Sequence, residues 1–133
     1  MGSPEVFDDT MVLGCHASPG SQTQGFDKDL DPSTVLERIS RTDARVICCG
    51  HTHLPDVQEF GWKVIVNGGS AGYVFDGDPT ASWARIDVTD GAVTAEIKRT
   101  EFDTIAVANA ISSRGLPGDV YRAATVRTGN LVR

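Results

Sequence analysis

The sequence has few cysteines, few histidines, no excess of positive charge and no long hydrophobic run, and each shortage excludes a class of protein. Its longest apolar stretches, such as Met11-Val12-Leu13-Gly14-Cys15 and Val46-Ile47-Cys48-Cys49, fall far short of the roughly 20 residues that a membrane-spanning helix requires. Twelve Lys and Arg against 18 Asp and Glu leave a net charge of −6, without the clustered cations that attract phosphate backbones or anionic membranes. Neither general nucleic-acid binding nor a membrane partner is expected. Three cysteines, two of them adjacent and none in a Cys-x-x-Cys spacing, argue against a disulfide framework or a thiolate zinc site. They read as buried strand residues.

Two N-terminal signals are incomplete. Val12-Leu13-Gly14-Cys15 resembles a lipoprotein cleavage box, but Asp8 and Asp9 stand where a basic and then an apolar region belong. Met1-Gly2 opens like a myristoylation site, yet position 6 is Val6 rather than Ser or Thr. The expectation is a soluble, cytoplasmic chain. With 133 residues, 40% of them hydrophobic and 14 more Gly, it has an ordinary globular composition and the length of a single domain, residues 1–133.

Residues 11–15 form a short apolar run ending at His16, and Ala17-Ser18-Pro19-Gly20 is a turn composition. A polar loop to residue 30 follows, long enough to form the rim of a site. Asp31-Pro32 supplies an N-cap and a first-turn proline for a helix to about Arg41, with Val35, Leu36 and Ile39 on its apolar side. Residues 46–49 then read as a strand buried on both faces, so strand, helix and strand make a βαβ crossover. Residues 56–60 and 62–66 flank Gly61 as a hairpin, and residues 81–88 and 92–98 flank the Asp90-Gly91 turn as a second. Asp103 caps a helix carrying Val107 and Ile111, and a last helix spans about 117–126. Arg38, Arg41 and Arg45 read as a helix C-terminal complement on a solvated face.

All three histidines lie at the exits of two apolar strands: His16 after the first, His51 and His53 after the second. Parallel strands of a βαβ unit end at one sheet edge, where ligands of open α/β sheets bind, which makes His16 and His51 expected neighbours. In an extended segment His51 and His53 point the same way, able to offer nitrogens to one metal ion or to two adjacent ones.

Gly50-His51-Thr52-His53 after Arg45-Val46-Ile47-Cys48-Cys49 resembles the terminal metal motif of the calcineurin-like metallophosphoesterases, above all their small bacterial and archaeal phosphodiesterase branch. Gly14-Cys15-His16-Ala17-Ser18-Pro19 is similar to that branch's His-Gly-Ser-Pro segment, and Val66-Asn67-Gly68-Gly69-Ser70-Ala71-Gly72 to its Asn-Pro-Gly-Ser segment, with Gly68 for the usual Pro. Asp76-Gly77-Asp78-Pro79 and Trp83-Ala84-Arg85-Ile86-Asp87 agree as well. The resemblance runs from about residue 11 to 98. It implies an α/β fold, part of a metallophosphoesterase β-sandwich with flanking helices, and two divalent cations. The matched histidines His16 and His51 would bind one metal and His53 the other. Such ions, about 3.5–4 Å apart, activate a bridging hydroxide for in-line attack on a phosphodiester or monoester. Manganese is the first expectation, with iron, zinc or nickel open to the same mixed N/O ligands.

The family's Asp-x-His, Gly-Asp-x-x-Asp and Gly-Asn-His/x-Asp/Glu motifs do not occur in this sequence. By resemblance the chain corresponds to the C-terminal half of the fold. Asp8, Asp9, Asp27, Asp29, Asp31 and Asp56 are the acids near enough in sequence to be weighed as replacements, and three histidines alone could hold one zinc with an open water position. The expected activity is metal-dependent phosphoester hydrolysis on a site completed by a second chain carrying the N-terminal half, or by a homo-oligomer. A non-catalytic metal-binding or scaffold protein of the same fold is the alternative.

Overall fold

The computed structural model describes residues 2–133. Met1, where the expected domain and the Met1-Gly2 signal begin, lies outside the described residues. The first element is one that the sequence pattern does not announce. Asp8 and Asp9 both take positive φ, 47° and 60°, and turn β1 (Glu5–Phe7) back onto β2 (Thr10–Gly14) as an antiparallel hairpin. Asp tolerates this conformation better than most residues, which lets a turn form here without glycine.

Helix α1 (Pro32–Ile39) starts where expected, with the Asp31 carboxylate accepting from the Thr34 amide at 3.1 Å. It stops two residues before Arg41. β3 (Val46–Cys49) lies parallel to β2 in the register Val12↔Val46, so the βαβ crossover is real. β4 (Asp56–Phe60) and β5 (Lys63–Asn67) form the first expected hairpin, and β5 runs parallel to β3. The Lys63 ammonium donates to the carbonyls of Ile39, at 3.0 Å, and Thr42, closing the C-terminal end of α1. The five-stranded order is β1-β2-β3-β5-β4, with a parallel centre and an antiparallel hairpin at each edge.

Period-two alternation divides the strand side chains between two cores. On one face α1 packs Val35 and Ile39 against Ile47 and Ile65, with Phe26 of the preceding loop. On the other lies a two-stranded ribbon of β6 (Ala81–Thr89) and β7 (Ala92–Thr100), joined by Asp90-Gly91. Its Ala84, Ile86, Val93 and Ala95 cover Val46, Val64 and Val66. The sheet is thus sandwiched between a helix and a ribbon, the mixed α/β architecture expected.

A helical hairpin, α2 (Thr104–Ser112) and α3 (Asp119–Thr128), completes the chain. Asp103 caps α2 as expected. Gly129 ends α3 at φ +70° and seats against the 76–80 turn, where Gly77 donates to its carbonyl at 2.8 Å. Among the described residues no helix is long and apolar enough to cross a membrane.

Candidate metal centre

β2 and β3 end side by side, and the ladder continues past both: Cys15 donates to the Cys48 carbonyl at 2.9 Å and Gly50 to the His16 carbonyl at 2.8 Å. This lateral tie brings His16 and His51 together as expected. His16 Nε2 lies 3.1 Å from His51 Nδ1, with the rings edge-to-face at 5.0 Å. Both side chains are exposed. Two imidazole nitrogens at about 2.1 Å from one ion, at roughly a right angle, stand about 3 Å apart, so the pair has the spacing of neighbouring ligands on a single cation.

The expectation that His51 and His53 sit in an extended segment is not met. Both take left-handed backbone, at φ 72° and 59°, a conformation that is uncommon for histidine and tends to persist at functional sites. The His-Thr-His run is therefore coiled rather than straight, and His53 leaves the pair. Its Nδ1 is 2.6 Å from the Tyr73 carbonyl and its ring stacks on Phe75 at 4.7 Å. A carbonyl accepts only from a protonated nitrogen, so Nδ1 carries a proton, and of the two neutral tautomers the carbonyl selects the one with its lone pair on Nε2, as in metal-binding histidines.

Asn67, only 2% exposed at the end of β5, holds this coil. Its amide donates to the Gly50 carbonyl and the Thr52 hydroxyl while its oxygen accepts from Gly69. The sequence places Asn67 only within the segment similar to the family's Asn-Pro-Gly-Ser run and does not show it as the organiser of this coil. The available signal was a polar residue closing an otherwise apolar strand.

The long loop after His16 does form a rim. A Cβ on Gly25 would come within 3.6 Å of the His51 ring. Arg38 donates to the Gly25 carbonyl and Arg41 to that of Pro19 at 3.2 Å. These two arginines therefore brace the rim, while Arg45 donates to the carbonyls of Trp62, at 3.1 Å, and Gly91. Their partners are loop carbonyls and, for Arg41, also the Glu37 carboxylate at 2.8 Å; Arg41 itself is exposed, as a solvated face implies. The cleft beside His16 is also lined by Cys15, Ser18 and Cys48, and the buried Ser18 hydroxyl has no hydrogen-bond partner among the described residues. The three cysteines are free and half-buried. Burial pushes the Cys49 thiol up to about 12, with Cys15, Cys48 and Asp56 adding to the effect. Burial raises Cys15 and Cys48 as well, which keeps these thiols protonated and inert at neutral pH.

The acids weighed as replacement ligands have other partners or stand apart. Asp31 caps α1, Asp56 accepts from Gln58 at 2.8 Å and Asp8 from the Asp90 amide at 2.6 Å. Among the described residues no group of three or more His, Cys, Asp or Glu is gathered closely enough to hold a metal ion. The reading of one zinc on three imidazoles is therefore not supported, because the coil at residues 51–53 separates His53 from the other two. What the donor set fits is two nitrogens toward one ion and a third, separate nitrogen.

A sequence profile of the calcineurin-like phosphoesterase superfamily domain matches residues 6–91, more than half of the chain. The chain belongs to that superfamily. Solved structures with a similar fold include a metallophosphoesterase from Sphaerobacter thermophilus, at 22% identity, TM-score 0.66 and coverage of 95% of this chain and 59% of that one. The hypothetical protein PH1004 from Pyrococcus horikoshii OT3 is similar at 17% identity and TM-score 0.76, over 96% of this chain and 50% of that one. Vps29 from Entamoeba histolytica, in a structure with Zn2+, is similar at 20% identity and TM-score 0.51, over 73% and 59%. This calcineurin-like chain thus spans between half and three-fifths of the length of these relatives. No curated protein matches it.

Proposed function

We propose that this chain contributes to a metal-dependent phosphoesterase acting on a phosphodiester or phosphomonoester, with His16 and His51 holding one divalent cation and His53 Nε2 a second. The observation that carries the reading is the 3.1 Å approach of His16 Nε2 to His51 Nδ1 at one sheet edge, in a member of a phosphoesterase superfamily. Bound divalent ions would supply a hydroxide near neutral pH and polarise a phosphoryl oxygen. The chain's own part is to orient. Asn67 fixes the coil, Tyr73 sets the His53 tautomer, and the braced rim bounds the cleft beside His16. Manganese is the first candidate, with iron, zinc and nickel as competitors. The bridging carboxylate would come from a second polypeptide or a second copy.

A second reading, metal binding without turnover, is favoured by the lack of a third gathered ligand among the described residues. The experiment that separates them is calorimetric titration with Mn2+ and Zn2+, run with manganese-dependent hydrolysis of a chromogenic phosphodiester, on the wild type and on His51→Ala purified identically. Binding and turnover that both vanish in His51→Ala support the enzyme. Binding alone supports the second reading, and binding unchanged by His51→Ala overturns both.

A further inference from the structure

Unlike α1 and α3, helix α2 carries no charged residue, and the whole run from Thr104 to Ser113 is uncharged. Its Ile105, Ala106, Val107, Ala108, Ala110 and Ile111 lie on every side of the helix, a pattern that belongs to a helix covered all round. Of its residues only Ala108 is buried. The uncovered side opens into a groove of about 420 Å³ between α2 and α3. Val107, Ala110, Ile111 and Arg114 form the α2 wall, at the i, i+3, i+4, i+7 spacing of one helix face, and Asp119 and Arg122 stand on the α3 wall.

The stripe extends back one turn to Asp103, whose carbonyl accepts from the Val107 amide at 3.1 Å. Asp103, Val107, Ala110 and Arg114 then follow one another at steps of four, three and four. That spacing reads the same from either end, with two apolar residues inside and opposite charges outside. One oxygen of Asp103 caps the Ala106 amide at 2.9 Å. Its other oxygen, like the Arg114 guanidinium, has no partner among the described residues. Asp119 and Arg122 repeat the pattern of an acid and a base one turn apart.

We propose that the chain forms a two-fold dimer in which α2 packs antiparallel against α2 of a second copy. With the axis between Ala108 and Asn109, Asp103 of each copy meets Arg114 of the other, and Val107 of each meets Ala110 of the other. Each contact occurs twice, as an isologous interface requires. A parallel pairing would set Asp103 on Asp103 and Arg114 on Arg114, so the charges select the antiparallel one. Val107 against Ala110 places a larger side chain over a small one, which lets the two helices approach closely. The complementarity is that of the stripe with itself, which is why a second copy is the occupant. The dimer goes beyond the phosphoesterase reading and does not depend on it.

The test is sedimentation velocity of the full chain over a concentration series, where a reversible dimer is expected. Arg114→Gln and Asp103→Asn each remove a charge and keep the fold, since Arg114 lies beyond the end of α2 and Asn caps a helix as Asp does. Each is expected to weaken the dimer about three- to tenfold, and the double variant no further than either alone. Asp103 and Arg114 of one chain stand about 16 Å apart along the helix, too far to touch, so this failure to add reports a contact between chains. Val107→Glu sets two unpaired charges in the seam and is expected to leave a monomer; Ala110→Glu serves if Val107→Glu alters the circular dichroism. A wild type that is monomeric at every concentration overturns the proposal. So does a dimer that survives the glutamate variant, or one in which the effects of Arg114→Gln and Asp103→Asn add.

Discussion

Asn67 donates its side-chain amide to the Thr52 hydroxyl at 2.9 Å, joining the end of β5 to the residue between His51 and His53. The same amide reaches the Gly50 carbonyl and its oxygen takes the Gly69 amide. Asn67→Ala would leave these groups unpaired in a buried setting, at a cost of about 2 kcal/mol. Urea denaturation should show that loss. Asn67→Asp keeps the acceptor and should recover a fraction of it.

His51 is held at φ 72° with an exposed side chain. Glycine adopts this conformation without the Cβ penalty, and the gain exceeds its extra unfolded-state entropy by about 0.5–1 kcal/mol. His51→Gly is therefore expected to be more stable than the wild type in urea while binding metal more weakly. A destabilised His51→Gly would mean that the imidazole contributes more to the fold than its exposure suggests.

The Asp31 carboxyl is held down at about 2 by hydrogen bonds from Ser33 and then Thr34. A carboxyl lowered in the folded state contributes stability above its ordinary value near 3.8, and that contribution is lost as pH falls toward the folded value. Wild type and Asp31→Ala should differ in urea midpoint above pH 4, and the gap should narrow between pH 3.8 and about 2. A gap independent of pH would show that the carboxylate's charge plays no part in capping α1.

Gly129 ends α3 at φ +70°, and a Cβ there would lie 2.7 Å from the Asp78 carbonyl carbon. Gly129→Ala combines backbone strain with overlap against main chain that has little room to move, for a cost of at least about 2 kcal/mol. Faster amide exchange throughout α3, with β3 and β5 unchanged, would show that the helical hairpin loosens on its own.

Most of the architecture could be read from residue patterns, and the exceptions have local causes. Val46-Ile47-Cys48-Cys49 and Asp90-Gly91 announce a buried strand and a tight hairpin because their chemistry admits few alternatives. Asp8-Asp9 announces nothing, since acidic pairs usually sit in solvent, and so β1 was missed. At the candidate site, the pairing of His16 with His51 follows from parallel strand ends. The separation of His53 does not, because it depends on φ at two residues that are selected by Asn67 and Tyr73, partners some 15–20 positions away. Arg38 does lie in the last turn of α1 and Arg41 is exposed, as their reading as a helix complement on a solvated face has it; that they also hold the carbonyls of Gly25 and Pro19 was not legible, because those belong to a loop whose path no periodicity encodes.

The position of β3 bears on how the chain is made as well as on what it binds. Val46 pairs with Val12 on one side and Val64 on the other, both in parallel register. During synthesis the hairpins β4–β5 and β6–β7 can close within their own few residues, but the sheet's centre cannot form until three distant segments meet. Refolding should therefore be slow relative to helical proteins of this length. In that interval an apolar strand made for neighbours on both sides has neither, and the nascent chain is at its most prone to aggregate.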